Sequence, residues 1–159
     1  MNRGPARYKH LSIMSPDSPP TVLRFGDHCV RFVAPDVAIA EFRNFTNTED
    51  VVALTDVLRA AKKREGQLFT LVDLSGVTTV PQRVRMTGAR IVPDYDALAF
   101  VGAGFGLRVI TEMVMRATKA LSPKLSFPYA FFDDHAAALA WLQTHRRARE
   151  ATAEATGLR

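Results

Sequence analysis

Two periods of apolar residues alternate along the chain. Short runs with strand character occur at Thr21–Phe25, Cys29–Val33, Val37–Phe45, Leu68–Leu74, Ala97–Ala103 and Phe127–Phe132. The first three are brief and parted by the turn signals Gly26-Asp27 and Ala34-Pro35-Asp36. In the third, Glu41 and Arg43 share one face and Ala40 and Phe42 the other. That alternation predicts an antiparallel meander with one wet face. Leu68–Leu74 and Ala97–Ala103 are almost continuously apolar. Strands buried on both faces, in the middle of a sheet, have this composition.

Between the later runs the period becomes helical. Over 47–65, Val51, Leu54, Leu58 and Ala61 fall on one face. Asn47 or Thr46 is placed to cap this helix, Glu49 and Asp50 suit its positive end, and Gly66 follows Lys62-Lys63-Arg64 as a stop. A second, basic helix is expected over Gln82–Val92, opened by Pro81 and ended by Pro93. A third spans Leu107–Leu121 with Leu107, Ile110, Val114, Ala117 and Leu121 on one stripe, ended by Ser122-Pro123. A fourth begins at Asp133 or Asp134, turns Leu139 and Leu142 inward, and is expected to end near His145. The order β-β-β-α-β-α-β-α-β-α predicts an α/β fold. Its sheet is mixed and mostly parallel, with an antiparallel N-terminal meander and about four helices. Residues 1–20, dense in Pro and Ser, are expected to be a disordered leader; 21–146 form the domain; 147–159 form a frayed basic tail.

Two stretches carry a family likeness. Leu71-Val72-Asp73-Leu74-Ser75-Gly76-Val77 resembles the strand and turn of STAS domains, and Tyr129–Leu142, reading YAFFDDHAAALAWL, resembles the closing signature of the SpoIIAA-like branch. That branch is sometimes grouped with lipid-binding CRAL-TRIO-type domains. The likeness covers residues 21–145 in element order. It implies a STAS-like fold and a bacterial regulatory or scaffolding role through protein–protein interaction. One departure stands out. Anti-anti-sigma factors of the superfamily carry a phosphorylatable serine where this chain reads Val80-Pro81-Gln82-Arg83-Val84, without serine or threonine. The resemblance therefore implies no phosphoserine switch there.

Composition narrows the function classes. The chain has 159 residues, 47% hydrophobic and 23% charged, enough for one domain with a real core. Its single cysteine, Cys29, allows no internal disulfide and is expected as a small buried apolar residue. No run of signal-peptide or transmembrane type occurs, which predicts a cytoplasmic protein without a transmembrane segment. The net charge of +5 gathers at the termini, because residues 21–142 hold 14 basic and 13 acidic side chains. A near-neutral folded part argues against nucleic acid or an anionic membrane as partner.

Candidate chemistry is sparse. Gly102-Ala103-Gly104-Phe105-Gly106 lies between a strand and a helix, where backbone N–H groups and Arg108 can hold an anion. Its spacing is neither a dinucleotide fingerprint nor a P-loop, and a tight turn explains it as well. Arg83, Arg85 and Arg90 form an interaction surface for acidic groups, or a solvated face. Asp73 ends a buried strand, a place where α/β sheets present functional groups, but no second titratable group for it is legible. His10, His28, His135 and His145 lack metal-ligand spacing, no nucleophile elbow occurs, and neither cofactor nor catalytic set is expected. Phe100, Phe105, Phe127, Phe131, Phe132 and Trp141 are core residues or the wall of an apolar pocket. Met115 lies off the inward stripe of its helix and suits a partner or dimer interface. The leading expectation is a non-enzymatic module that binds another protein, including a second copy as a homodimer. The alternatives are a carrier or sensor of a small apolar or lipid-like ligand, and a nucleotide- or anion-binding module.

Overall fold

The computed structural model describes residues 22–45 and 47–157. The expected leader, 1–20, and the capping role considered for Thr46 lie outside the described residues. Ten elements follow in the expected order. They are β1 (Val22–Phe25), β2 (His28–Ala34), β3 (Val37–Glu41), α1 (Glu49–Glu65), β4 (Phe69–Asp73), α2 (Gln82–Ile91), β5 (Ala97–Val101), α3 (Phe105–Leu121), β6 (Tyr129–Phe132) and α4 (His135–Ala155). The six strands form one sheet in the order β1-β2-β3-β4-β5-β6. β1, β2 and β3 pair antiparallel, and β3 to β6 are parallel. This is the mixed α/β class expected from the pattern. Both apolar runs are central, with Leu71 opposite Ala99 and Val72 opposite Phe100.

Each parallel crossover steps one strand in the same direction. With the right-handed connection such units adopt, α1, α2 and α3 must share a face. One core cluster accordingly joins Leu54, Leu58 and Ala61 of α1 and Leu107 of α3 to Val30, Val72, Leu98 and Phe100 of the sheet. Ile39, Phe69, Leu71, Ala97, Ala99 and Val101 point the other way and are covered by Ala138 and Leu142 of α4. The alternation of strand side chains thus divides one sheet between two cores.

Local signals account for the helix ends. Asn47 Oδ1 accepts from the N–H of Asp50 at 2.9 Å, and Gly66 closes α1 in the left-handed region at φ 75°. Asp134 caps α4 by accepting from the N–H of Ala137 at 2.8 Å.

Three sequence expectations are corrected. α4 continues through Ala155 instead of ending near His145, so most of the supposed frayed tail is helical. Tertiary ion pairs hold it. Arg146 Nε reaches buried Asp36 at 2.8 Å, and Arg149 Nε reaches Asp96 at 3.3 Å. Asp96 also takes Lys62 at 2.6 Å, closing the amino end of the sheet. Cys29 is only partly buried, because it sits on the β2 face that α4, packed on β4, β5 and β6, does not cover. The inward stripe of α3 runs through Leu107, Thr111 and Thr118, while Leu121 is exposed. Thr118 is tolerated there because its hydroxyl donates to the Val114 carbonyl at 2.9 Å.

Candidate functional site

α4 and α1 approach the strands closely, whereas α2 and α3 pack chiefly on each other. The space left under them is a cavity of about 150 Å³. Its floor is Val72 of β4, Leu74 just after that strand, and Leu98 and Phe100 of β5. Phe42 and Phe45, which follow β3, and Val51 and Thr55 of α1 close one side. Its roof is Val84, Arg85, Gly88 and Ile91 of α2, together with Ile110, Thr111, Val114 and Met115 of α3. These α2 positions repeat at helical spacing, and Gly88, without a side chain, stands in the middle of them.

The lining is nearly all hydrocarbon, and Arg85 is the only charged residue in it among the described residues. Its Nε is buried and has no hydrogen-bond partner among the described residues. A buried guanidinium N–H left in that state costs free energy that an acceptor would recover. Arg85 and Val114 also line a second, outer groove between α2 and α3, of about 340 Å³, so they form the wall shared by cavity and groove. Met86, Met113 and Leu121 flank this groove and are exposed.

A polar cluster occupies the carboxyl end of the parallel strands. Asp73 has the same strand parity as Phe69 and Leu71 and so faces α4. Its Oδ1 accepts from the Ser75 N–H at 2.8 Å and from the Ser75 hydroxyl, and its Oδ2 lies 2.9 Å from His135 Nε2. Burial alone would raise the Asp73 pKa, but the two Ser75 hydrogen bonds and His135 outweigh it and hold the carboxyl below its ordinary range. The carboxylate stands between serine and imidazole. Hydrolysis by a serine nucleophile needs the imidazole in the middle, to take the hydroxyl proton. The cluster is therefore a clasp joining β4 to α4, with no activated nucleophile. Gly102 completes it. Its φ is 74°, and a Cβ there would lie 2.6 Å from the Ser75 nitrogen.

The structure thus brings Asp73, Ser75 and Gly102 together at the carboxyl end of the strands, with Arg108 in the first turn of α3 and Arg83, Arg85 and Arg90 on α2. Arg108 is occupied within the fold. Its Nε donates to the Ala103 carbonyl at 2.9 Å, its terminal nitrogen meets Asp133 at 3.1 Å, and its guanidinium lies over the Phe131 ring at 5.7 Å. Gly104 and Gly106 open α3 with no atom within 4 Å of an added Cβ. Of the six aromatic residues singled out, Phe100 lines the cavity, Phe105 is 86% exposed, and Phe132 packs on Trp141 in the opposite core. Met115 lines the cavity, and it is Met113 that is exposed.

No family model, curated protein or solved structure matches this chain. Among the described residues no group of His, Cys, Asp and Glu side chains could hold a metal ion, and no helix is long and apolar enough to cross a membrane.

Two contributors escaped the sequence reading. His135, the partner for Asp73, is 62 positions away, and only the parallel pairing of β4, β5 and β6 brings them together. Gly88 carried no turn signal. Its one legible trait was a glycine inside a helical period, which lacks a local reason to be there.

Proposed function

We propose that this protein is a non-enzymatic cytoplasmic module that binds a small apolar ligand in the cavity beneath α2 and α3, as a carrier or sensor. The observation that carries this reading is the cavity itself, apolar and interrupted by one arginine whose buried Nε has no hydrogen-bond partner among the described residues. Close-packed interiors rarely leave such a gap, and about 150 Å³ of apolar space has room for a benzene-sized guest. The preferred ligand is a compact hydrocarbon body with a hydrogen-bond-accepting end directed at Arg85. Native mass spectrometry of freshly purified protein tests this, together with thermal unfolding in toluene and in phenylacetate. Retained mass, or stabilisation by either probe, supports the reading. A protein that carries no extra mass and whose melting ignores both probes overturns it.

The reading as a regulatory or scaffolding module, including one of STAS type, draws on a different observation, the exposed apolar side chains of α2 and α3. It calls for a protein partner recovered from native lysate. A nucleotide or anion at Gly102–Arg108 has less support, since Arg108 already serves Ala103, Asp133 and Phe131.

A further inference from the structure

The charge of this chain is segregated in a way its length-wise sum conceals. α2 and α3 together carry six basic residues, Arg83, Arg85, Arg90, Arg108, Arg116 and Lys119, against one acidic residue, Glu112. The rest of the chain holds 15 of each sign, so these two adjacent helices account for the whole net charge of +5. Glu112 is engaged by the Tyr129 hydroxyl at 2.9 Å. The same helices bear Met86, Phe105, Val109, Met113 and Leu121, five of the seven large apolar side chains exposed among the described residues. On α3, Phe105, Val109 and Met113 recur every fourth position and form an outward apolar stripe, with the exposed Arg116 beyond them.

We propose that the outer face of α2 and α3 docks on an anionic lipid bilayer. The bilayer interface meets both chemistries at once, since anionic headgroups attract the arginines and the acyl boundary takes up phenylalanine and methionine. A second copy of the chain would set this basic face against itself, juxtaposing like charges. A nucleic-acid backbone would satisfy the arginines and leave Val109, Met113 and Leu121 in water. The docking stands on charge and exposure alone. Its use rests on the proposed ligand reading: Arg85 and Val114 line both the outer groove and the cavity, so a bilayer docked at the groove would lie next to the ligand's site.

Sedimentation of the full chain with vesicles of phosphatidylcholine alone, and of phosphatidylcholine with phosphatidylglycerol, tests the proposal. Binding to the anionic vesicles only, weakened by added salt, is the expected result. The pair Arg90→Glu and Arg116→Glu should reduce binding at least ~10-fold, at roughly fivefold per charge near the surface. The pair Phe105→Ser and Met113→Ser should also reduce it. All four positions are exposed, so melting temperature and toluene binding should be retained. Absence of binding to the anionic vesicles, or unchanged binding by both variants, overturns the proposal. So does a dimer in sedimentation velocity that Phe105→Ser with Met113→Ser dissolves. Failure of the ligand reading would show separately, as indifference to toluene in free solution.

Discussion

Filling the cavity from Gly88 tests its existence and its role together. A Cβ at this α2 position would meet no atom within 4 Å, although the residue lines the cavity. Glycine in a helix interior costs about 0.8–1 kcal/mol relative to a good helix former, and leucine is one. Burying a leucine side chain gains about 1.5–3 kcal/mol, and fixing its rotamer returns about 0.5–1 kcal/mol. Gly88→Leu should therefore stabilise the fold by about 2 kcal/mol. For a domain of this size the expected rise in Tm is about 5–8 °C. Gly88→Ala should gain only the helix term, about 1 kcal/mol. Calorimetry with and without toluene reads both effects. Toluene should stabilise the unaltered protein and Gly88→Ala but leave Gly88→Leu unchanged. A lower Tm for Gly88→Leu would mean the space is already filled. A higher Tm with toluene binding intact would place the ligand elsewhere and overturn the assignment of this cavity as its site.

Three further outcomes follow from other contacts. Arg146→Ala should destabilise by about 3 kcal/mol in urea unfolding, because it strands the buried Asp36 carboxylate with Gln67 as its remaining polar partner; a change under ~1 kcal/mol would show that the C-terminal half of α4 is not anchored there. Gly102→Ala should cost about 3 kcal/mol or more, since φ is 74° and its Cβ would press on the Ser75 backbone, whereas Gly106→Ala, inside α3 with open space around it, should gain about 1 kcal/mol by thermal melting. Stability should fall on the acid side in two steps. Burial lowers the His28 pKa below its ordinary 6.5, and its Nδ1 accepts the Arg43 N–H at 3.1 Å. Below that ordinary value the unfolded chain binds a proton that the native chain refuses, so stability falls as pH drops. Asp73 adds a second decline lower down, because a carboxyl depressed below 3.8 contributes above that value and loses its contribution as pH falls through the folded pKa. His28→Asn keeps an acceptor near the Arg43 N–H without titrating, so it should flatten the upper step; an unchanged slope between pH 7 and 5 would remove His28 as its source.

Much of the fold was legible because local and global preferences agree. The unbroken apolar composition of β4 and β5 requires cover on both faces, and the α1 stripe requires a core beneath it. Reading failed where tertiary partners decide. The last ten residues of α4 carry no apolar period, and their helix is fastened by Arg146 and Arg149 to aspartates more than fifty residues earlier in the chain. The α3 stripe was rotated in the reading because Thr111 and Thr118 count as polar although they point inward. The cavity was not legible, since a void belongs to the distance at which α2 stands from the sheet. The basic face was hidden by summation. Residues 21–142 are nearly neutral in total, and their acidic members lie almost entirely outside α2 and α3.

The consecutive strand order has a consequence for synthesis on the ribosome. Each strand pairs with the one made just before it, so the sheet and its first three helices can assemble as they emerge. The opposite face cannot be sealed until the final helix of 21 residues has left the tunnel. At about 5–20 residues per second, that leaves Ile39, Leu71, Ala99 and Val101 uncovered for about one to four seconds. A nascent chain stalled before His135 would present a flat aliphatic surface to chaperones and to its neighbours on the same message. Premature stop codons in this last helix should therefore yield aggregates instead of a soluble fragment.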